Sequence, residues 1–111
     1  MCVFCKIVNG EIPSDKVYED ENYLAFKDIN PKAPVHILII PKEHIGYLSD
    51  IDAANKHIIG DMAAIANKIA KELGIDKSGY RVLINNGPDA GQEVFHIHMH
   101  LLGGKKMAFT V

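Results

Sequence analysis

Three histidines at alternating positions, His96, His98 and His100, are the residues of this chain best suited to chemistry. Side chains of a β-strand alternate between its two faces, so this spacing places the imidazoles on one face, about 7 Å apart. The intervening residues are apolar, which predicts a strand over 94–102 whose core side comprises Phe95, Ile97, Met99 and Leu101. A row of imidazoles makes a poor solvent-facing surface, and it therefore predicts a site.

Imidazole is a nucleophile toward phosphorus at neutral pH, because half or more of it is unprotonated near its pKa of about 6.5. One nitrogen reacts while the other keeps its proton on a fixed acceptor, such as a backbone carbonyl. The alternative is a storage tract or a polar strand face that happens to be rich in histidine. Such tracts are contiguous and terminal, whereas here the alternation is strict and Gly103 and Gly104 mark a turn after it. The pattern therefore favours function.

Cys2 and Cys5 form a second pattern, C-x-x-C. This spacing occurs in redox pairs, in one half of a zinc site, and in two unrelated buried thiols. A zinc site needs two further nitrogen or sulfur ligands, for which His44 and His96 are the candidates. The residues alone leave these interpretations open.

Short strands and one long helix are predicted to position these groups. Alternating patterns and turn residues predict a short helix over 4–9 and strands over 16–19, 23–28, 35–40, 81–86 and 94–102. Ser49 or Asp50 can cap the long helix, Gly74 ends it, and His57 within it is expected at its surface. Its apolar stripe is predicted to comprise Ile51, Ala54, Ile58, Met62, Ile65, Ala66, Ile69 and Leu73.

These elements predict an α+β fold, a single domain over 1–111 built on a five-stranded antiparallel sheet with meander-like connections. The long helix covers one face of the sheet, which leaves the other face for a ligand. A glycine-rich loop over 86–91 precedes the histidine strand, and glycine lets backbone N–H groups approach a phosphate closely. Asn85 and Gln92 on either side of this loop could add neutral amide donors.

Composition narrows the classes of partner. The 111 residues carry a formal net charge of −2, so they lack the basic footprint of a nucleic-acid-binding domain, although a single nucleotide needs none. The longest apolar runs, such as 37–40, are far too short to cross a bilayer, which predicts no membrane partner. No signal-peptide pattern is visible, and the sequence has only two cysteines. We therefore expect a cytoplasmic protein with reduced thiols.

The histidine row resembles the signature of the histidine triad (HIT) family, in which histidine and apolar residues alternate and two apolar residues close the motif. All positions of 96–102 match it. The resemblance extends through 2–7, 25–29, 33–42, 85–87, 91–92 and 103–104. The resemblance covers nearly the whole chain. Within the family, the chain is similar to the small nucleotide-binding, Hint-like branch of bacterial type. This branch implies a homodimer in which two five-stranded sheets join into one.

The resemblance also implies roles for individual residues. His98 is identified as the nucleophile, with His100 and His36 binding phosphate oxygens and managing the proton of the leaving group. Asp28 matches the residue that accepts hydrogen bonds from the ribose hydroxyls, although an Asx-turn before Pro31 would also explain it. The resemblance further implies a purine held between Phe26 and Ile29 and a phosphate held by Asn85, Gly91 and Gln92.

Glu93 departs from the pattern of the animal members, which carry a small hydroxyl residue there that donates to the leaving group. A carboxylate near a phosphate repels it unless it is protonated or turned away. Glu93 is therefore expected to change how the leaving group is recognised and to leave the nucleophile unaffected. Some bacterial members bind structural zinc, and the resemblance carries this over to Cys2, Cys5, His44 and His96.

Two classes of function follow. In the first, the protein is a hydrolase that cleaves purine nucleoside phosphoramidates to the nucleoside monophosphate through a covalent nucleotidyl-histidine. In the second, it is a regulatory or interaction module that binds AMP or GMP, with incidental turnover. A zinc-dependent redox or structural module centred on Cys2 and Cys5 is a weaker third. The full triad together with His36 favours the enzyme, because binding alone needs no free nucleophile.

Overall fold

A computed structural model describes residues 2–109 of the chain. Two α-helices and five β-strands form the fold, with 3-10 turns at Leu48–Asp50 and Pro88–Ala90. In chain order the elements are α1 (Val3–Val8), β1 (Lys16–Glu19), β2 (Tyr23–Lys27), β3 (Val35–Pro41), α2 (His57–Glu72), β4 (Tyr80–Leu83) and β5 (Met99–Gly103).

The strands form one antiparallel sheet in the order β1-β2-β3-β5-β4. The predicted α+β class, five-stranded antiparallel sheet, long helix and short N-terminal helix are confirmed. The meander is wrong at one point, since the chain passes through α2 to reach the outer strand β4. It then returns as β5 between β3 and β4.

Each face of the sheet packs against a different helix. Alternate residues of β3, Ile37 and Ile39, join the buried side of α2 in the larger apolar cluster. The residues between them, Leu38 and Ile40, pack with Phe4 of α1 in a smaller cluster on the other face. The short helix covers only part of this second face. The prediction that one face stays open for a ligand therefore agrees with the packing.

Helix α2 begins later than predicted, at His57 and not near Ser49 or Asp50. The intervening chain has local side-chain hydrogen bonds that compete with helix formation. Asp52 accepts from the N–H of Ala54, and Asn55 both accepts from the N–H of Asp52 and donates to the carbonyl of Asp50.

The predicted stripe of α2 is correct in its middle and wrong at its ends. Ala54 lies outside the helix and is exposed, and Leu73 is also exposed. The residues of the helix that are buried are Ile58, Met62, Ile65, Ala66, Ile69 and Ala70. His57 is exposed, as predicted, and Gly74 follows the helix with φ of +74°. In the described part of the chain, no helix is long and apolar enough to cross a membrane.

The histidine strand is shorter than predicted, because β5 starts at Met99 and residues 94–98 are irregular. Phe95 is not a core residue: it is 44% exposed and packs against Tyr47, with ring centroids 5.7 Å apart. The segment is held from another side, where Ile97 donates its N–H to the carbonyl of Ile45 at 2.6 Å. Ile97, Met99 and Leu101 do lie in the core that packs on α2.

Strand β4 also ends earlier than predicted, at Leu83 and not at residue 86. The side chain of Asn86 accepts a hydrogen bond from the N–H of Ser49 at 2.9 Å, which draws the chain away from the sheet. Gly87 follows with φ of +85°, a conformation that other residues rarely adopt. The loop after β4 therefore begins before the glycine-rich stretch.

Candidate functional site

A cavity of about 850 Å³ opens on the face of the sheet opposite α2. Its wall contains the predicted histidines His36, His98 and His100. His36 comes from β3, His100 from β5, and His98 from the segment just before β5. It also contains the predicted substrate residues Phe26, Asp28, Ile29, Asn85, Gly91 and Glu93. His96 is fully buried and lies outside this wall, as does Gln92.

The proton on the His98 ring is assigned by a backbone group. Nδ1 of His98 lies 2.8 Å from the carbonyl oxygen of His96, and because that oxygen can only accept, Nδ1 carries the proton. Nε2 is then left with a free lone pair. Burial lowers the pKa of His98, and the hydrogen bond to His96 offsets part of that effect. The ring is therefore neutral at pH 7, with one nucleophilic nitrogen.

His36 and His100 form a second chain of hydrogen bonds. The backbone N–H of Lys32 donates to Nδ1 of His36 at 3.0 Å, so the proton of His36 is on Nε2. Nε2 of His36 in turn lies 2.9 Å from Nδ1 of His100, which accepts. His100 therefore carries its proton on Nε2, where it can donate to a phosphate oxygen.

Burial lowers the pKa of His100 to about 4, and the nearby rings of His98 and His36 act in the same direction. Burial also lowers the pKa of His36, while the Asp28 carboxylate partly offsets this. These histidines are therefore neutral donors and acceptors at pH 7 and do not form a cluster of cations.

Asp28 follows β2 and contacts both its own turn and His36. One carboxylate oxygen accepts from the N–H of Asn30 at 2.8 Å, which is the predicted Asx-turn. The other lies 3.4 Å from Nε2 of His36. The turn holds the carboxylate at the cavity wall, and its oxygens have lone pairs left to accept further hydrogen bonds.

Apolar groups line the end of the cavity near β2. Phe26 is buried and packs edge-on against Phe4, with ring centroids 5.5 Å apart. Ile29 is 91% exposed, an unusual position for a large apolar side chain. An aromatic or aliphatic surface of this kind suits the flat face of a nucleobase.

Gln92 is a correction to the predicted phosphate donors. Its side-chain amide donates to the carbonyls of Gly46 and Val94 at 2.9 and 3.0 Å. Its side-chain oxygen accepts from the N–H of Gly87 at 2.8 Å. Since both donors are used inside the protein, Gln92 holds the loop in place and does not offer its amide to a ligand. Asn85 and Gly91 do line the cavity.

The four predicted metal ligands Cys2, Cys5, His44 and His96 come together, with all ligand atoms within 4.8 Å of one another. Both cysteines are free thiols. His96 donates from Nε2 to the carbonyl of Pro41 at 2.8 Å, so its Nδ1 lone pair points to the cluster. Helix α1 supplies Cys5, its cap supplies Cys2, and the end of β3 precedes His44.

Most distances within this cluster come close to those around a tetrahedral zinc ion, whereas the two sulfurs lie closer together than a bound zinc would hold them. The separations are 3.1 Å between the sulfurs, 3.2 Å between the two Nδ1 atoms, and 3.2–3.6 Å between sulfur and nitrogen. Bonds of about 2.3 Å to sulfur and about 2.0–2.1 Å to nitrogen give tetrahedral edges of about 3.3–3.8 Å. Two thiolates and two imidazoles also form a closed donor set, typical of structural zinc.

Asp28, His36 and His100 also bring ligand atoms within 4.8 Å of one another. A metal there would need the lone pair of Nε2 of His36. That atom carries the proton, because Nδ1 already accepts from the N–H of Lys32. This second group is therefore better suited to hydrogen bonding than to a metal.

The sequence patterns did not single out two residues that contribute to the site. Phe4 sets its ring edge-on to His98, with centroids 5.1 Å apart and an interplanar angle of 88°. Lys32 supplies the backbone N–H that decides the proton position of His36. Phe4 lies between the two cysteines, which is the signal that could have placed it near the histidine row. A backbone donor leaves no signal in the side-chain pattern.

Comparison with known proteins assigns the family. Residues 9–107 match the HIT domain family. The chain is 50% identical over 105 residues to a purine nucleoside phosphoramidase of Escherichia coli (strain K12), covering 95% of this chain and 88% of the relative.

Solved structures agree with this match. A HIT family hydrolase from Legionella pneumophila Philadelphia 1 superposes with a TM-score of 0.96 at 47% identity, covering 98% of this chain and 97% of that one. A zinc-bound histidine triad family protein from Mycobacterium smegmatis gives 0.82 at 41% identity, covering 94% and 75%. The histidine row, its sheet and its open cavity are thus those of a known fold, and this chain belongs to the HIT domain family.

Proposed function

We propose that this protein hydrolyses purine nucleoside phosphoramidates to nucleoside monophosphates, with His98 as the nucleophile. The observation that carries the proposal is the fixed ring of His98, whose Nδ1 donates to the carbonyl of His96 and whose Nε2 keeps its lone pair. The phosphoramidase activity named for the E. coli relative, at 50% identity, supports the same reaction. Imidazole held in this way is an activated nucleophile at neutral pH.

The first step forms a bond between Nε2 of His98 and phosphorus and breaks the bond between phosphorus and nitrogen. The electron pair of the broken bond stays on the amine nitrogen, which takes up a proton from solvent in the open cavity, and the nucleotide remains on His98. Positive charge that develops on the ring is stabilised through Nδ1–H, which stays on the carbonyl of His96. In the second step water attacks phosphorus, the bond to Nε2 breaks, and the nucleoside monophosphate is released.

His100 and His36 assist both steps in this proposal. His100 offers Nε2–H to a phosphate oxygen, because its Nδ1 accepts from His36. The backbone N–H of Lys32 keeps His36 in the tautomer that can donate. Hydrogen bonds are therefore donated in one direction, from the backbone N–H of Lys32 through His36 and His100 to the phosphate.

The remaining residues of the wall bind the nucleoside. We assign the ribose hydroxyls to the Asp28 carboxylate and the purine to Phe26 and Ile29. Asn85 and the backbone near Gly91 face the phosphate, with Gln92 as the residue that holds their loop. Glu93 lines the same cavity and repels negative charge on the leaving group.

The test is hydrolysis of an adenosine 5′-phosphoramidate by the His98→Ala variant. Loss of covalent catalysis should lower turnover by several powers of ten while AMP binding and the melting temperature change little. His57→Ala is the matched control, since His57 is exposed at the start of α2. A His98→Ala variant that kept a tenth of the activity would favour the second candidate, a module that binds AMP or GMP.

We propose that Cys2, Cys5, His44 and His96 hold a structural zinc ion, one per chain. The convergence of the four ligand atoms, their sulfur–nitrogen distances and the closed donor set support this, as does the zinc-bound relative from M. smegmatis. When bound, zinc would tie α1 to the segment before β5 and would act as a structural centre. Thiolate ligands need a reducing compartment, and we therefore assign the protein to the cytoplasm.

We also propose that two copies form a homodimer, each a single domain, paired along the outer edge of β4. Among the described strands β4 has a neighbour on one side only, and its Val82 is 42% exposed. An unpaired edge with an exposed apolar side chain is a ready template for another strand. Light scattering should give twice the 12.3 kDa chain mass, and Val82→Pro should give the monomer.

A further inference from the structure

A second cavity, of about 370 Å³, adjoins the catalytic one. The two share Lys32, Leu83 and Leu102 in their walls. The second cavity is lined by apolar residues and by a basic rim, the four residues Lys32, Arg81, Lys105 and Lys106. Within residues 2–109 no carboxylate lines it, although the whole chain carries a net charge of −2.

The register of the sheet places this basic rim on the catalytic face. His36 and Arg81 both pair with Leu102, one from each side, and Leu83 pairs with His100. Paired residues in an antiparallel sheet project to the same side, so Arg81 shares the face of the catalytic histidines. Arg81 and His100 are diagonal neighbours, whose Cα atoms are about 7–8 Å apart in such a ladder.

The chain after β5 is held so that its lysines reach this rim. Gly104 has φ of +89°, and a Cβ atom there would lie 2.9 Å from Cβ of Pro34, so the turn requires glycine. Beyond the turn, Nη1 of Arg81 donates to the carbonyl of Ala108 at 3.1 Å. This contact fixes the guanidinium and keeps the segment with Lys105 and Lys106 against the sheet.

The two cavities differ in their charged residues. Asp15, Asp28 and Glu93 line the catalytic cavity together with Lys27 and Lys32, whereas the charged residues of the described chain that line the adjoining cavity are all cations. A negatively charged leaving group is repelled by Glu93 and attracted by Arg81 and the lysines beside it. An Arg guanidinium with neighbouring lysines is the donor set that recognises carboxylate and phosphate groups.

We propose that this second cavity is a subsite for a carboxylate or phosphate group on the leaving amine, beside the cavity in which the phosphorus–nitrogen bond is cleaved. The inference rests on the proposed hydrolysis and adds the class of leaving group that the site selects.

The experiment compares two adenosine 5′-phosphoramidates of similar length, one of 4-aminobutanoate and one of n-pentylamine. For the unmodified protein we expect kcat/KM to be about threefold to tenfold higher for the carboxylate substrate at low salt. The difference should shrink at 1 M salt, where the screening length is about 3 Å.

Two variants test the residues. Arg81→Gln, and separately the pair Lys105→Glu and Lys106→Glu, should abolish or reverse this preference while the pentylamine substrate is cleaved as before. The control carries the same charge change elsewhere, with Lys71→Glu and Lys77→Glu at exposed positions, and should keep the preference.

The outcomes separate the two proposals. If both substrates are cleaved equally and the variants change neither, the subsite is wrong and the hydrolase proposal stands. If the unmodified protein cleaves neither substrate, the hydrolase proposal fails and the subsite fails with it.

Discussion

His96 and His98 are coupled through one backbone atom: the carbonyl oxygen of His96 accepts the Nδ1 proton of His98 at 2.8 Å. The ring of His96 itself points Nδ1 at the sulfurs of Cys2 and Cys5, at 3.4 and 3.6 Å. One residue therefore belongs to the cysteine–histidine cluster through its side chain and to the catalytic row through its backbone. Changes at the cluster should reach the nucleophile without touching the cavity.

The first prediction concerns metal content and stability. The purified protein should contain about one zinc per chain, and Cys5→Ser should lose it because a hydroxyl is a poor zinc ligand. The melting temperature should fall by several degrees in the variant and in unmodified protein treated with chelator. Metal emission and thermal unfolding are the measurements, with His57→Ala as the control. A metal-free protein whose melting temperature is unchanged by chelator would overturn the zinc proposal.

The second prediction separates ribose binding from turn formation at Asp28. Loss of a charged acceptor should cost about 1.5–3 kcal/mol of binding free energy per hydroxyl hydrogen bond. Asp28→Ala should therefore weaken the binding of AMP strongly and the binding of 2′,3′-dideoxy-AMP much less. Asp28→Asn is the matched variant, because asparagine can keep the Asx-turn to Asn30 without the charge. Calorimetric titration gives both affinities. Equal losses for both nucleotides would leave Asp28 with the turn alone.

The third prediction is a dependence of stability on pH. Because the pKa of His100 is about 4 in the fold and about 6.5 in an unfolded chain, the unfolded state binds more protons between these values. The free energy of unfolding should therefore be highest above pH 6.5 and should fall as the pH is lowered toward 4.

Urea unfolding at a series of pH values measures this slope. His100→Asn should make the slope shallower, whereas His57→Ala, at an exposed histidine, should leave it unchanged. An equal slope in the unmodified protein and in the His100→Asn variant would contradict the assignment of a neutral, half-buried His100.

The fourth prediction tests the structural role of Gln92. Gln92→Ala removes the partners of two backbone carbonyls and one backbone N–H, at Gly46, Val94 and Gly87. Unsatisfied buried groups cost about 1–3 kcal/mol, so the free energy of unfolding should fall by about that amount. The KM for the phosphoramidate should rise as the loop loosens. Unchanged stability with a raised KM would instead indicate a direct contact between Gln92 and the substrate.

The histidine row, the middle of helix α2 and the candidate metal ligands could all be predicted from the order of the residues. Each of these is a local pattern of type and spacing: period two for His96 to His100, period 3.6 for the helix, and C-x-x-C for the cysteines. The same alternation predicts that neighbouring residues of β3, and of β5, lie on opposite faces of the sheet. The resemblance to the family then supplied the roles of partners that lie far apart in the chain, His36 and Asp28.

Which atoms of these residues are free to react depends instead on contacts that form when the chain folds. The proton of His36 depends on the N–H of Lys32, and that of His98 on a carbonyl that an irregular segment presents. The side chain of Gln92 turned inward because three backbone groups needed partners there. Likewise the insertion of β5 beside β4 brought Arg81 to the catalytic face. Hydrogen bonds to a distant backbone and the order of strands leave no periodic signal, so they appear only when the chain is folded.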